Sequence, residues 1–132
     1  MKEFLGAWKL IAVEDRLADG EIVYPYGRDP VGLLIYDASG KMSVQIMKRD
    51  RAPVSSGEME EIKAALEGFT SFFGSYEIDQ TRGVIIHRVE GHLLPDSVGK
   101  ALERKYEFSG DRLILRPSPT RRVVWEKVGN KS

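Results

Sequence analysis

The chain has 132 residues and no cysteine, and its 20 basic side chains are balanced by 20 acidic ones, leaving a formal charge of zero at neutral pH. That length fits one domain over residues 1–132, large enough to bury a core without covalent staples. The composition excludes disulfides, thiolate metal sites and a thiol nucleophile, and the even charge balance excludes a global field that would draw the chain to nucleic acid.

Trp8 to Val13 reads as the first strand, with Trp8, Leu10 and Ala12 on one face and Lys9, Ile11 and Val13 on the other. Asp19-Gly20 turns the chain, Ile22 to Tyr24 forms a short return strand, and Pro25 stops it. Tyr24-Pro25-Tyr26-Gly27-Arg28-Asp29-Pro30 is a stiff loop whose rings either plug one end of a barrel or, for Tyr26, line a ligand entrance. Gly32 to Tyr36 and Met42 to Met47 form a hairpin about Asp37-Ala38-Ser39-Gly40. On its second arm Ser43, Gln45 and Met47 share one face and Met42, Val44 and Ile46 the other. Either face is a candidate interior; a helix lying over the outside would turn Gln45 inward.

Ser55 and Glu58 have capping-box spacing, and Met59, Ile62, Leu66, Phe69 and Phe73 recur at helical intervals. One long helix ending at Gly74 is therefore expected, burying that stripe and leaving Glu60, Glu61, Lys63 and Glu67 in water. Phe69, Phe72 and Phe73 then pack in the core or close a barrel mouth. An antiparallel series follows: Tyr76 to Ile78, Val84 to Leu94, Ala101 to Phe108, Arg112 to Leu115 and Arg122 to Val128, joined by hairpin-sized links. About eight strands in sequence order specify an all-β, up-and-down antiparallel barrel with one α-helix inserted mid-chain. Gly129-Asn130-Lys131-Ser132 are expected to fray. Met1 to Trp8 lacks a long apolar core, and no run nears the ~20 apolar residues of a membrane span, so the chain reads as soluble and cytoplasmic with no membrane partner.

The segment Ile85 to Leu94 sets His87, Arg88, Glu90 and His92 in an apolar frame. Strict alternation groups Arg88, Glu90 and His92 on one face, opposite Ile85, His87, Val89 and Leu93, so one face must enclose polar groups. The two histidines then diverge too far to grip one metal ion, and neither a metal nor a cofactor is expected. No nucleophile elbow, phosphate loop or dinucleotide fingerprint is present. In the next strand, alternation turns Arg104 inward with Tyr106 and Phe108 and sends Lys105 and Glu107 out. A buried guanidinium needs a partner. Either an Arg104–Glu90 or Arg88–Glu103 cross-strand pair fixes register, or Arg104 holds a carboxylate or enolate of a ligand, oriented by Tyr106 and Gln45.

Gly6-Ala7-Trp8, the Tyr24-to-Gly32 segment, the Ile35-Tyr36 and Met42-to-Met47 hairpin, and His87-Arg88-Val89-Glu90 with Pro95 and Gly99 resemble the bacterial and fungal lipocalin-like domain family, in order and over nearly the whole chain. The resemblance implies a calycin-type barrel around a small-molecule cavity. It makes Trp8 a structural residue across the closed end, with a basic side chain of the last strand, Arg121 or Arg122, over its ring. Members mostly lack an assigned activity, and some look like accessory proteins of secondary metabolism. The chain departs from the family pattern at Pro95-Asp96-Ser97-Val98-Gly99, which has no aromatic residue for ring stacking.

Two functions fit. In the first, a wall drawn from Leu34 or Ile35, Met47, Phe69, Phe73, Tyr76 and Phe108 holds a small hydrophobic molecule, with Tyr26, Tyr36, Gln45, His87, Arg104 and Tyr106 around it. In the second, a cofactor-free isomerase or cyclase acting on a secondary metabolite uses His87 and Glu90 to move protons and Arg104 or Tyr106 to stabilise an oxyanion. Alternation separates His87 from Glu90, so the second requires a β-bulge near Gly91. A third reading, a dimeric interaction module on a barrel flank, is permitted by neutrality without being suggested by it; the expected state is a monomer or homodimer.

Overall fold

The computed structural model describes residues 2–129. After a 3₁₀ turn at Lys2–Phe4 come β1 (Gly6–Arg16), β2 (Ile22–Val23), β3 (Val31–Tyr36), β4 (Lys41–Met47), α1 (Met59–Glu67), β5 (Phe69–Asp79) and β6 (Val84–His92). A second 3₁₀ turn, Pro95–Ser97, leads to β7 (Ala101–Ser109), β8 (Arg112–Arg116) and β9 (Arg121–Lys127). From β3 to β9 successive strands pair antiparallel, and β1 pairs with β2, β3 and β9. β1 and β3–β9 thus close an eight-stranded barrel, with β2 appended to the end of β1, so the sheet leaves few free edges. No helix among the described residues is long and apolar enough to cross a membrane. Of the four residues expected to fray, 130–132 lie outside the described residues.

One end is shut by aromatic rings. The N-terminal turn drops Phe4 into the barrel, where it meets Tyr36, Tyr106 and Phe108 edge-on at centroid distances of 5.6, 5.0 and 4.9 Å. Trp8 Nε1 donates to the Phe4 carbonyl oxygen at 2.9 Å, tying the turn to β1. Lys127 places its ammonium 4.6 Å from the centre of the Trp8 ring. The expected basic cover therefore exists on the last strand, but it is neither Arg121 nor Arg122. Those two stand at the other end of β9, on Asp15 and Glu14 of β1.

Two extra residues break the alternation. On β1 the register against β9 shifts between Leu10 and Ala12, so Trp8 and Leu10 face inward and, past the bulge, Val13 and Asp15 do. On β6 the register against β5 shifts at Glu90: Val89 opposes Gly74, whereas Gly91 opposes Phe73 and His92 opposes Phe72. Each bulge flips the face presented by the remainder of its strand. Gly74 belongs to this device. A Cβ there would overlap the Arg88 carbonyl oxygen, so only glycine lets the backbones approach across the bulge.

The helix differs most from its expected form. It stops at Glu67, where Gly68 ends the intrahelical bonding, and Phe69 begins a strand. Phe69 and Phe73 therefore lie on β5, not on a helical stripe, because the β-favouring run Phe-Thr-Ser-Phe-Phe finds a partner in β4. The Ser55–Glu58 capping box does not form; Ser56 instead engages the Glu61 carboxylate with its backbone N–H and hydroxyl. The stripe stays uncovered, with Met59 79% and Leu66 44% exposed.

Candidate functional site

The inward faces of the strands leave a cavity of about 210 Å³ between the aromatic plug and the mouth. Its apolar wall includes Val13, Leu34, Val44, Ile46, Phe72 and Trp125, one or two from each of several strands, as the two-residue period requires. The β4 alternatives resolve with Met42, Val44 and Ile46 inside, since α1 does not cover the hairpin. Gln45 accordingly lies on the outer face, where its Nε2 donates to Ser43 Oγ at 3.0 Å.

Polar side chains enter from four directions. Tyr26 comes from the proline-bounded loop, His87 and His92 from β6, Arg104 from β7 and Arg121 from β9. His87 is 2% exposed. Its Nε2 meets Tyr36 Oη at 2.6 Å across the barrel interior. Tyr36 is itself fully enclosed and has no other acceptor among the described residues, so the network assigns the phenol as donor, Nε2 as acceptor and the ring proton to Nδ1. That Nδ1 is buried without a partner among the described residues, as is Trp125 Nε1 on the same cavity wall. Burial, with the Arg104 charge adding to it, pushes the His87 imidazole down to about 3, so it is neutral at physiological pH. Burial likewise pushes the Tyr36 phenol far above its ordinary range.

Arg104 opposes Ile85 on β6, diagonal to His87, which opposes Leu102. Neither anticipated cross-strand pair exists. Arg88 reaches Glu77, with Nε 2.7 Å from Oε1; Glu103 pairs with Arg82; Glu90 points outward to Lys41 at 2.8 Å. Arg104 has no hydrogen-bond acceptor or carboxylate among the described residues. Burial holds its guanidinium below the ordinary arginine range, with neighbouring Arg121 acting in the same direction, yet an arginine so shifted remains cationic. Arg121 is neutralised, its Nε and Nη2 lying 2.7 and 2.8 Å from the two Asp15 oxygens. The same bond holds the Asp15 carboxyl below the usual carboxylate range. Among the described residues no carboxylate lines the cavity.

Of the residues singled out by sequence, Tyr26, His87 and Arg104 line this space, and Tyr36 supports it from below. The others do not reach it. Met47 lies on the outer face of β4, where its sulfur accepts from Arg51, and Phe69 lies beneath the same guanidinium, 5.2 Å from ring centre to Cζ. Phe73 is 55% exposed. Tyr76 and Tyr106 pack toward the closed end, Tyr76 with its hydroxyl on the Asp37 carbonyl oxygen at 2.9 Å. Glu90 is outside, so the bulge brings into the cavity not the carboxylate an isomerase would need but His92. His92 stacks on Phe72 at 5.4 Å with rings 6° from parallel, and its Nδ1 accepts from the Leu94 N–H at 2.9 Å. Trp125 and Arg121 were missed as cavity residues, although their two-residue spacing with Val123 on the last strand carries the signal. No cluster of three or more ligating side chains able to hold a metal ion is present among the described residues.

A family model described as a lipocalin-like domain matches residues 5–131. No curated protein matches the chain.

Proposed function

Because the chain belongs to the lipocalin-like domain family, we propose that its barrel binds a small, largely hydrophobic molecule in the cavity behind Tyr26, with Arg104 as its orienting polar contact. The observation that carries this is a largely buried guanidinium without a hydrogen-bond or carboxylate partner among the described residues, on the wall of a mainly apolar cavity. Sites for small molecules have this composition, many apolar contacts and a few placed polar groups. Isomerase or cyclase chemistry through His87 and Glu90 has less support, since Glu90 faces solvent and His87 Nε2 is engaged by Tyr36. The absence of cysteine fits work in a reducing, cytoplasmic setting.

Native mass spectrometry beside the denatured mass tests the proposal. A bound molecule that can be extracted, or a thermal shift with members of a panel of fatty acids, polyketides and aromatics, is the expected result. An empty protein that none of the panel stabilises would overturn it.

A further inference from the structure

Resting on that reading, we infer that the ligand is a single-ring organic anion, its acid group held by Arg104 together with N–H groups of His87, Trp125 and His92. The argument begins with what the cavity lacks. The two imidazoles, the indole and the guanidinium on its wall have their acceptor already engaged or have none to offer, and the Tyr26 and Thr70 hydroxyls can donate as well as accept. His87 Nε2 is engaged by the Tyr36 hydroxyl, and the Leu94 N–H occupies His92 Nδ1, so the other nitrogen of each ring is the one that carries a proton. The Trp125 indole offers only a donor, and Arg104 donates only. Two of these donors, His87 Nδ1 and Trp125 Nε1, are buried with no acceptor among the described residues, which leaves a desolvation penalty that a ligand oxygen would remove.

Charge points the same way. Asp15 neutralises Arg121, and among the described residues no carboxylate lines the cavity and none compensates Arg104. A planar fork of this kind suits a carboxylate, an enolate or a phenolate. Size limits the remainder of the molecule. An apolar cavity of roughly 150 Å³ takes benzene, so about 210 Å³ suits one ring with an acidic substituent, not a long acyl chain. Phe72, flanked by both imidazoles at 5.9 and 5.4 Å, presents an aromatic surface for such a ring.

Calorimetric titration with benzoate, phenylacetate and 4-hydroxybenzoate, set against benzamide and toluene as neutral analogues, tests the inference on the wild type and on Arg104→Met. At least one acid should bind, its neutral analogue at least about tenfold more weakly, and Arg104→Met should abolish the preference, because a site built around charged donors discriminates by what it leaves unpaired. Nitrogen-15 histidine spectra should show His87 protonated on Nδ1. Equal binding of acid and neutral analogue, unchanged in Arg104→Met, would overturn the anion assignment while leaving cavity binding intact. So would a His87 spectrum with the proton on Nε2. If no single-ring compound binds but a longer member of the earlier panel does, the ring-size assignment fails and the binding reading stands; if nothing binds, both fail.

Discussion

Arg104 weakens the fold where it stands. A largely buried guanidinium with no carboxylate beside it among the described residues carries a desolvation cost that no ion pair there offsets. Arg104→Met should therefore raise the urea midpoint, by the equivalent of ~1–3 kcal/mol, while impairing ligand binding; a lowered midpoint would mean the arginine has a stabilising partner. His87 gives a second prediction at this scale. Its folded-state pKa of about 3 lies below the ordinary 6.5, so between those values the unfolded chain binds the additional proton. Acidification from pH 6.5 should thus destabilise the protein by up to ~1.4 kcal/mol per pH unit from this group alone, with no contribution above 6.5. In His87→Gln that component disappears, so the stability difference between wild type and variant should shrink from pH 7 to pH 4.5. Urea curves at several pH values decide it: parallel pH profiles would show that His87 protonates freely in the folded state.

At the scale of elements, the bulge at Glu90 is the feature that assembles the site, and it depends unequally on two glycines. A methyl at Gly74 would overlap backbone, the Arg88 carbonyl oxygen, whereas a methyl at Gly91 would overlap the ring of half-exposed Phe73, which can swing into solvent. Gly74→Ala should cost several kcal/mol, in the range of strain and broken pairing, and Gly91→Ala ~1 kcal/mol or less; similar losses in urea unfolding would contradict the geometry. The helix makes the opposite case. Leu66 is 44% exposed on a helix that buries no residue, so Leu66→Lys should move stability by no more than ~0.5 kcal/mol, where a packed helix would lose several. These same places mark what was legible in the sequence. Turn residues and two-residue alternation define the barrel, the Asp37–Gly40 hairpin and the inward Arg104. A single inserted residue, Ile11 or Glu90, leaves no trace in hydrophobic periodicity yet exchanges one face of a strand for the other, which is why His92 was placed opposite His87. The helix was overextended because Phe69 and Phe73 satisfy a helical spacing and a strand's preference equally well, and only pairing with β4 decides between them.

Across the whole molecule, stability should be divided along the barrel axis. At the closed end Phe4, Trp8, Tyr36 and Leu113 are almost wholly enclosed, and the β1–β9 seam carries the Lys9–Glu126, Glu14–Arg122 and Asp15–Arg121 pairs along its length. At the mouth, α1 buries no residue, and the segment 93–100 between β6 and β7 has only a 3₁₀ turn, Pro95–Ser97. Local opening is governed by how much buried surface and how many backbone bonds must be given up, so the two ends should exchange amide hydrogen by different routes. Amides of β1, β8 and β9 should exchange only through global unfolding, while those of α1 and residues 93–100 exchange through local openings, orders of magnitude faster. Because Leu94 N–H is bonded to His92, a ligand that orders His92 should slow exchange at Leu94 first, before any change in β9 beyond the uniform rise from mass action. Hydrogen exchange followed by NMR, with and without the acid that binds most tightly, reads both effects. Protection of α1 equal to that of β9 would mean that the mouth is held shut by packing, and a Leu94 amide indifferent to ligand would place the bound molecule away from His92.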